Sequence, residues 1–147
     1  MVKAQIFWNY LCNELNYRFF SGVACLGLNP LYKKMNSDIM HYVPAVNERT
    51  ALGLVSGASM GGFKGGLLMN MYFKNDILTF LNLNINYGIP FLIIGYSDKK
   101  SNGLFYDLPT THIINNHFKT KLKKIAYESE SNNIPGIIII EGDGILT

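Results

Sequence analysis

Cysteine is scarce in this sequence. Cys12 and Cys25 are the only two in 147 residues, too far apart for a CxxC pair and without a histidine cluster to complete a zinc set, so both are expected as reduced thiols of a cytoplasmic protein. Charge is also thin: Asp, Glu, Lys and Arg make up 16% of the chain against 48% hydrophobic residues. That balance excludes a disordered or collagen-like polypeptide and suits a highly solvated monomer poorly, so part of the apolar surface is expected to meet a partner. Long apolar runs are missing as well. Phe91 to Ile94 and Ile137 to Ile140 fall far below the roughly 20 residues of a membrane-spanning helix. The first ten residues hold no apolar stretch followed by small residues, so no secretory signal is expected. Net charge is +3, and its dense basic stretch, Lys119, Lys121, Lys123 and Lys124, reads as a solvated helix face, with no nucleic-acid partner expected. The three histidines, His41, His112 and His117, show no paired spacing. Surface or packing roles are expected for them, with His112 the first to consider as a ligand.

What is present is an alternation of helical and strand patterns over a length close to that of one domain, so residues 1–147 are read as a single domain. Ile6, Tyr10, Leu11 and Leu15 form a helical stripe, and Phe19 to Val23 a short strand. Asn29-Pro30 opens a short helix over Leu31 to Met35, and His41 to Val46 alternates as a strand whose Pro44 suggests an edge or an end. From Asn47 small residues recur at helical spacing. A strand over Leu67 to Asn70, a loop, a helix over Asp76 to Asn84 and a strand over Ile89 to Gly95 follow, the last apolar enough to be covered on both faces. Residues 97–112 read as a polar loop, 113–130 as a helix, and Ile137 to Ile140 as a buried strand. The expected fold class is therefore α/β: a doubly wound, mostly parallel sheet with helices on both faces.

Gly53, Gly57 and Gly61 are spaced by four in the helix that begins after Asn47. Each glycine costs a helix roughly 1 kcal/mol relative to alanine, so the stripe implies that another backbone or a ligand comes close. Gly61-Gly62-Phe63-Lys64-Gly65-Gly66 lacks the GK[ST] ending of a phosphate-binding loop and follows a helix, so a tight helix-to-strand turn is expected. Asn47-Glu48 stands where a carboxylate favours a helix start.

The spacing N-E-x-x-A-x-x-x-x-x-G-A from Asn47 to Ala58 resembles the pyrimidine-binding domain of thiamine diphosphate-dependent 2-oxo acid decarboxylases, in particular phosphonopyruvate decarboxylase and the small subunit of sulfopyruvate decarboxylase. Further pieces come in the family's order. Phe19-Phe20-Ser21-Gly22-Val23 with Leu28-x-Pro30-Leu31 is similar to F-F-x-G-V-P-D-S-L-L-K-P-L, and Ala45-Val46-Asn47-Glu48 is similar to A-A-N-E. Met69 to Asn75 stands in the place of Q-N-S-G-L-G-N, Tyr87 to Leu92 resembles Y-G-I-P-L-L, and Pro135 to Ile140 occupies the place of the last strand. The sequence departs where the family's P-D-S becomes Ala24-Cys25-Leu26 and where S-G-L-G becomes Met71-Tyr72-Phe73-Lys74.

The resemblance implies that Glu48 is catalytic and cofactor-binding, its carboxyl meeting N1′ of the aminopyrimidine of thiamine diphosphate and assisting deprotonation of the thiazolium C2. It also implies cofactor contacts from Asn70 and Asn75, a substrate pocket lined by Cys25, Tyr72, Phe73 and Lys74, and no metal ligand in this chain. Glu141-Gly142-Asp143-Gly144 resembles the start of the diphosphate and magnesium motif, but the given sequence ends three residues later and does not supply its distal asparagines. Diphosphate and Mg2+ are thus expected on a separate diphosphate-binding subunit, in a hetero-oligomer of even stoichiometry acting on a small 2-oxo acid, with or without carboligation. Two other readings stay open: a non-catalytic structural or regulatory descendant of such a subunit, and a stand-alone flavodoxin-like ligand-binding domain.

Overall fold

The computed structural model describes residues 2–98, 107–142 and 145–146. The chain runs β1 (Val2–Lys3), α1 (Ala4–Trp8), which continues into a π-helical turn (Asn9–Glu14), β2 (Phe19–Gly22), a 3-10 turn (Leu26–Leu28), α2 (Asn29–Lys33), β3 (His41–Pro44) and α3 (Glu48–Met60). It continues with β4 (Gly65–Asn70), a 3-10 segment (Met71–Ile77), α4 (Leu78–Tyr87), β5 (Leu92–Ser97), β6 (Thr110–Ile113), α5 (Lys119–Asn132), β7 (Gly136–Glu141) and β8 (Ile145–Leu146). Six strands form one all-parallel sheet in the order β3-β2-β4-β5-β7-β6, and β1 pairs with β8 in a small parallel ladder of its own. The expected α/β architecture is therefore observed.

Strand alternation splits the core in two, because successive side chains on a strand point to opposite faces. Leu68, Leu92, Ile94, Ile138 and Ile140 face the layer made by α1, α2 and α5, where Phe7, Trp8, Phe20 and Phe118 pack. Leu67, Met69, Ile93, Ile137 and Ile139 face the layer of α3 and α4, meeting Ala51, Leu52, Val55 and Leu81. Trp8 satisfies its indole N–H on the Leu31 carbonyl at 2.8 Å, which ties α1 to α2. Between α3 and α4, Asn84 is buried and donates to Ser56 Oγ at 2.6 Å, while Ser59 donates to the Pro90 carbonyl. A buried amide is tolerable there because its hydrogen bond is made.

Three expectations need correction. Residues 97–112 are not loop throughout: Thr110–Ile113 is the edge strand β6, paired in parallel with Ile137 to Ile140, because β-branched residues favour a strand and the neighbour offers a free edge. The last long helix accordingly begins at Lys119 rather than 113, after a turn in which Asn115 Oδ1 accepts from His117 N. Strand β5 begins at Leu92 rather than Ile89, since α4 runs on to Tyr87 and ends on Gly88 at φ 66°, a left-handed conformation that glycine adopts freely. Pro44 closes β3, an edge strand, as expected.

Among the described residues Gly53 and Gly57 of the glycine stripe of α3 have no close neighbour, whereas Gly61 lies against the Ala58 carbonyl and Phe63. A Cβ placed on Gly53 or Gly57 would meet nothing within 4 Å. The layers also differ in charge: α3 and α4 carry only Glu48 and Arg49, at one end, whereas α5 carries four lysines and two glutamates. Among the described residues no helix is long and apolar enough to cross a membrane.

Candidate functional site

In a parallel sheet the loops at the carboxyl ends of the strands gather on one edge, where ligands of such folds bind. The sequence-predicted site residues lie on that edge. Cys25 follows β2, Glu48 follows β3, and Asn70, Tyr72, Phe73, Lys74 and Asn75 span the end of β4 and the 3-10 segment after it.

Glu48 is the first residue of α3. Asn47 caps the helix from an extended conformation, with φ −154° and ψ 169°, its Oδ1 accepting from Thr50 N at 2.9 Å and from Thr50 Oγ1 at 3.0 Å. A side-chain acceptor at this position satisfies an amide that the helix leaves unpaired. The Glu48 side chain is half-buried, and among the described residues nothing donates to or pairs with its carboxylate. A cavity of about 230 Å³ opens beside it, lined by Asn47, Glu48, Arg49 and Asp76.

The segment after β4 is pinned at its start. Asn70 Oδ1 accepts from Tyr72 N at 2.9 Å, and buried Met71 lays its thioether over Gly95 of β5. Tyr72 and Phe73 then turn outward, 84% and 41% exposed, their rings edge to face at 5.1 Å. Lys74 is half-buried and Asn75 exposed. Arg49, which sequence reasoning missed, bridges α3 to this segment: its Nε donates to the Asp76 carbonyl at 3.2 Å and its guanidinium lies 5.9 Å over the Phe80 ring.

Cys25 lies on the other side of the sheet plane. It is 9% exposed and belongs to the core beneath α1 and α2. Tyr32 and Tyr42 meet edge to face below this loop and donate to the Val23 and Gly22 carbonyls at 2.9 and 3.2 Å. Burial pushes the Tyr32 hydroxyl well above its ordinary range, with Tyr42 and Cys25 adding to the rise. The loop is thus held from behind by two neutral phenols.

His112 does not join these groups. It sits on edge strand β6 with Nδ1 2.5 Å from Glu141 Oε1, a hydrogen-bonded pair between β6 and the end of β7. Of the Glu141 to Gly144 stretch, residues 143 and 144 lie outside the described residues, and Gly142 takes φ 51°. Among the described residues no cluster of His, Cys, Asp or Glu could hold a metal ion. The larger cavity, about 620 Å³, lies at the opposite end of α3, where Phe19, Val43, Gly57, Ala58, Gly61 and Phe63 line it. Apart from Arg18 and His41 its lining is apolar, and Gly57, the lining residue of α3 nearest Glu48, lies about 14 Å from it at the helical rise.

No protein-family model matches the chain. The sulfopyruvate decarboxylase subunit alpha of Methanococcus maripaludis is 35% identical over 78 residues, which is 52% of this chain and 47% of that subunit. The match thus spans about half the length of that relative. The 2-oxoglutarate:ferredoxin oxidoreductase of Magnetococcus marinus, solved with 2-oxoglutarate, coenzyme A and succinyl-CoA, superposes with a TM-score of 0.71 over 96% of this chain and 28% of its own, at 14% identity. The chain therefore shares its fold with part of that enzyme and is similar in sequence to part of the decarboxylase subunit.

Proposed function

We propose that this chain is the pyrimidine-binding subunit of a two-chain thiamine diphosphate-dependent enzyme that decarboxylates a 2-oxo acid. The observation that carries the reading is Glu48: a carboxylate at the Asn-capped start of α3, on the carboxyl edge of the sheet, with no partner among the described residues. A half-buried carboxylate left this way suits a hydrogen-bonding group supplied from outside the chain, and a nitrogen of an aminopyrimidine is such a group. When bound, thiamine diphosphate supplies a thiazolium that accepts the electron pair released as carbon dioxide leaves.

The chain's residues then divide the remaining work. Glu48 holds the proton at the pyrimidine N1′ and fixes the ring by that bond. Asn70 has its oxygen committed to Tyr72 N and offers its amide N–H groups, while Asn75 offers a second amide on the rim. Tyr72 and Phe73, turned outward, stand on the rim where a partner would cover them, Cys25 backs the opposite loop, and Lys74 provides one cation for an anionic tail. Diphosphate and Mg2+ fall to a diphosphate-binding partner. The uncharged face of α3 and α4, with its open glycine stripe, supports a partner that packs there and completes the site.

The replacement of the family's P-D-S by Ala24-Cys25-Leu26 favours a second reading, a non-catalytic subunit that keeps only the partner contact. Glu48→Gln separates the two. In the complex reconstituted with the diphosphate-binding subunit, the substitution is expected to leave assembly intact and to slow proton exchange at the cofactor C2 by roughly two to four orders of magnitude. An unchanged exchange rate removes Glu48 from the mechanism.

A further inference from the structure

We infer that Arg49 is a latch: it fixes the segment Met71–Ile77, which carries Tyr72, Phe73 and Lys74, to the helix start that carries Glu48, so that the two walls of the small cavity keep one relative position. The inference deepens the proposed function, since it concerns the substrate wall of the same site, but its first test does not depend on that function.

Three observations carry it. The Nε–H of Arg49 reaches across to the main-chain carbonyl of Asp76 at 3.2 Å, and among the described residues this is the hydrogen bond that joins α3 to the segment. The planar guanidinium lies over Phe80 of α4 at 5.9 Å, which adds cation–π attraction and holds the plane in one orientation. Arg49 and Asp76 also wall the cavity into which Glu48 opens. The stretch between the segment's two anchors depends on this bridge: its start is held by the Asn70 cap and by Met71 over Gly95 and its end by Ile77, buried in the core, whereas between them Phe73 departs from helical geometry, with φ −94° and ψ 15°, and is exposed beside Tyr72. A charge-assisted hydrogen bond together with a cation–π contact is enough to shift a local opening equilibrium by about tenfold.

The acceptor is a backbone carbonyl, so the side chain of Asp76 is not required, and the donor is Nε, which lysine lacks at that distance along its stem. This gives the latch a signature that a simple charge would not have. On the full native chain, Arg49→Ala is expected to raise the rate of chymotrypsin cleavage after Tyr72 and Phe73 about tenfold relative to cleavage after Tyr127 on α5, which reports global opening. Asp76→Asn is expected to leave that ratio unchanged, and Arg49→Lys to resemble the alanine variant. An unchanged ratio in Arg49→Ala overturns the latch, and full rescue by lysine overturns the geometry proposed for it. In the reconstituted enzyme, Arg49→Ala is expected to raise KM for the 2-oxo acid severalfold with kcat within about twofold. A fall in kcat at constant KM would place Arg49 with Glu48 instead of the substrate wall. A wild-type complex without decarboxylase activity would remove the proposed function while leaving the proteolysis result to decide the latch.

Discussion

The thioether of Met71 occupies the space that a side chain on Gly95 would need: its sulfur and Cγ both fall inside contact distance of a Cβ built there. The absence of one side chain on β5 is what seats the segment carrying Tyr72, Phe73 and Lys74. Gly95→Ala is therefore expected to destabilise the chain by about 1–3 kcal/mol through overpacking. The same change should raise proteolysis of that segment beyond what the loss of global stability explains. Urea denaturation and cleavage after Tyr72 check both halves, and a variant of unchanged stability would mean that Met71 swings aside freely.

Alkaline pH should unfold the protein through two groups that fold only in their neutral forms. Burial pushes the Cys12 thiol up to about 12. It also raises the Tyr17 hydroxyl, first by burial and then through Glu130, whose oxygen accepts from it at 3.0 Å while pairing with Lys64 at 2.7 Å. Each group holds its proton more tightly folded than unfolded, so its contribution is complete below the unfolded value, near 9 for the thiol and 10 for the phenol, and is lost as pH rises beyond it. The slope is at most about 1.4 kcal/mol per pH unit for each group. Urea midpoints at pH 8, 9, 10 and 11 measure it, and Cys12→Ala should flatten the curve from pH 9 upward.

The open glycines of α3 separate the needs of the chain from those of its assembly. With nothing within 4 Å of a Cβ at Gly53 or Gly57, alanine at either position is expected to stabilise the isolated chain by up to about 1 kcal/mol. Gly57→Leu should fold as well as the native chain and yet fail to join the diphosphate-binding subunit. Sedimentation of the mixed chains reads the second result, and undiminished complex formation would move the interface elsewhere. The native chain alone is expected to self-associate, because the α3 and α4 layer leaves Met60, Leu83 and Tyr87 exposed.

Substrate preference should follow Tyr72 and Phe73. Both rings turn outward in the chain alone; if the partner presses them over the site they leave less room for a tetrahedral anionic head group, and a compact or apolar 2-oxo acid such as pyruvate is then expected to outcompete phosphonopyruvate and sulfopyruvate in the reconstituted enzyme. A preference of more than about tenfold for either anion, roughly 1.4 kcal/mol, would refute the steric argument. Its loss in Lys74→Ala would then assign the preference to that cation.

The order of elements was legible because the buried strands are runs of Ile and Leu, and because the Asn47 cap marks a helix start with side-chain chemistry. What stayed hidden was set by neighbours. Thr110–Ile113 is four residues long and becomes a strand because β7 offers it an edge. The turn over Asn9–Glu14 winds as a π-helix, which the spacing of Tyr10, Leu11 and Leu15 does not distinguish from an α-helix. Glu48 stood out by its motif, whereas Arg49, the next residue, did not, since its partner is a backbone carbonyl 27 residues away that no side-chain pattern announces. Cys25 was legible as a position and not as an orientation: it turns into the core of α1 and α2.

The small ladder between β1 and β8 joins Val2 to Ile145 and Lys3 to Leu146, so two strands more than 140 residues apart in sequence must find each other. Every neighbouring pair in the main sheet is parallel as well, and parallel neighbours need a crossover in place of a hairpin. Loop-closure entropy must be met before such pairings are rewarded. Of the strand pairs described, β1 with β8 closes the longest loop, so this ladder is expected to form after the main sheet, while α1 is already covered by Phe20 and Leu31.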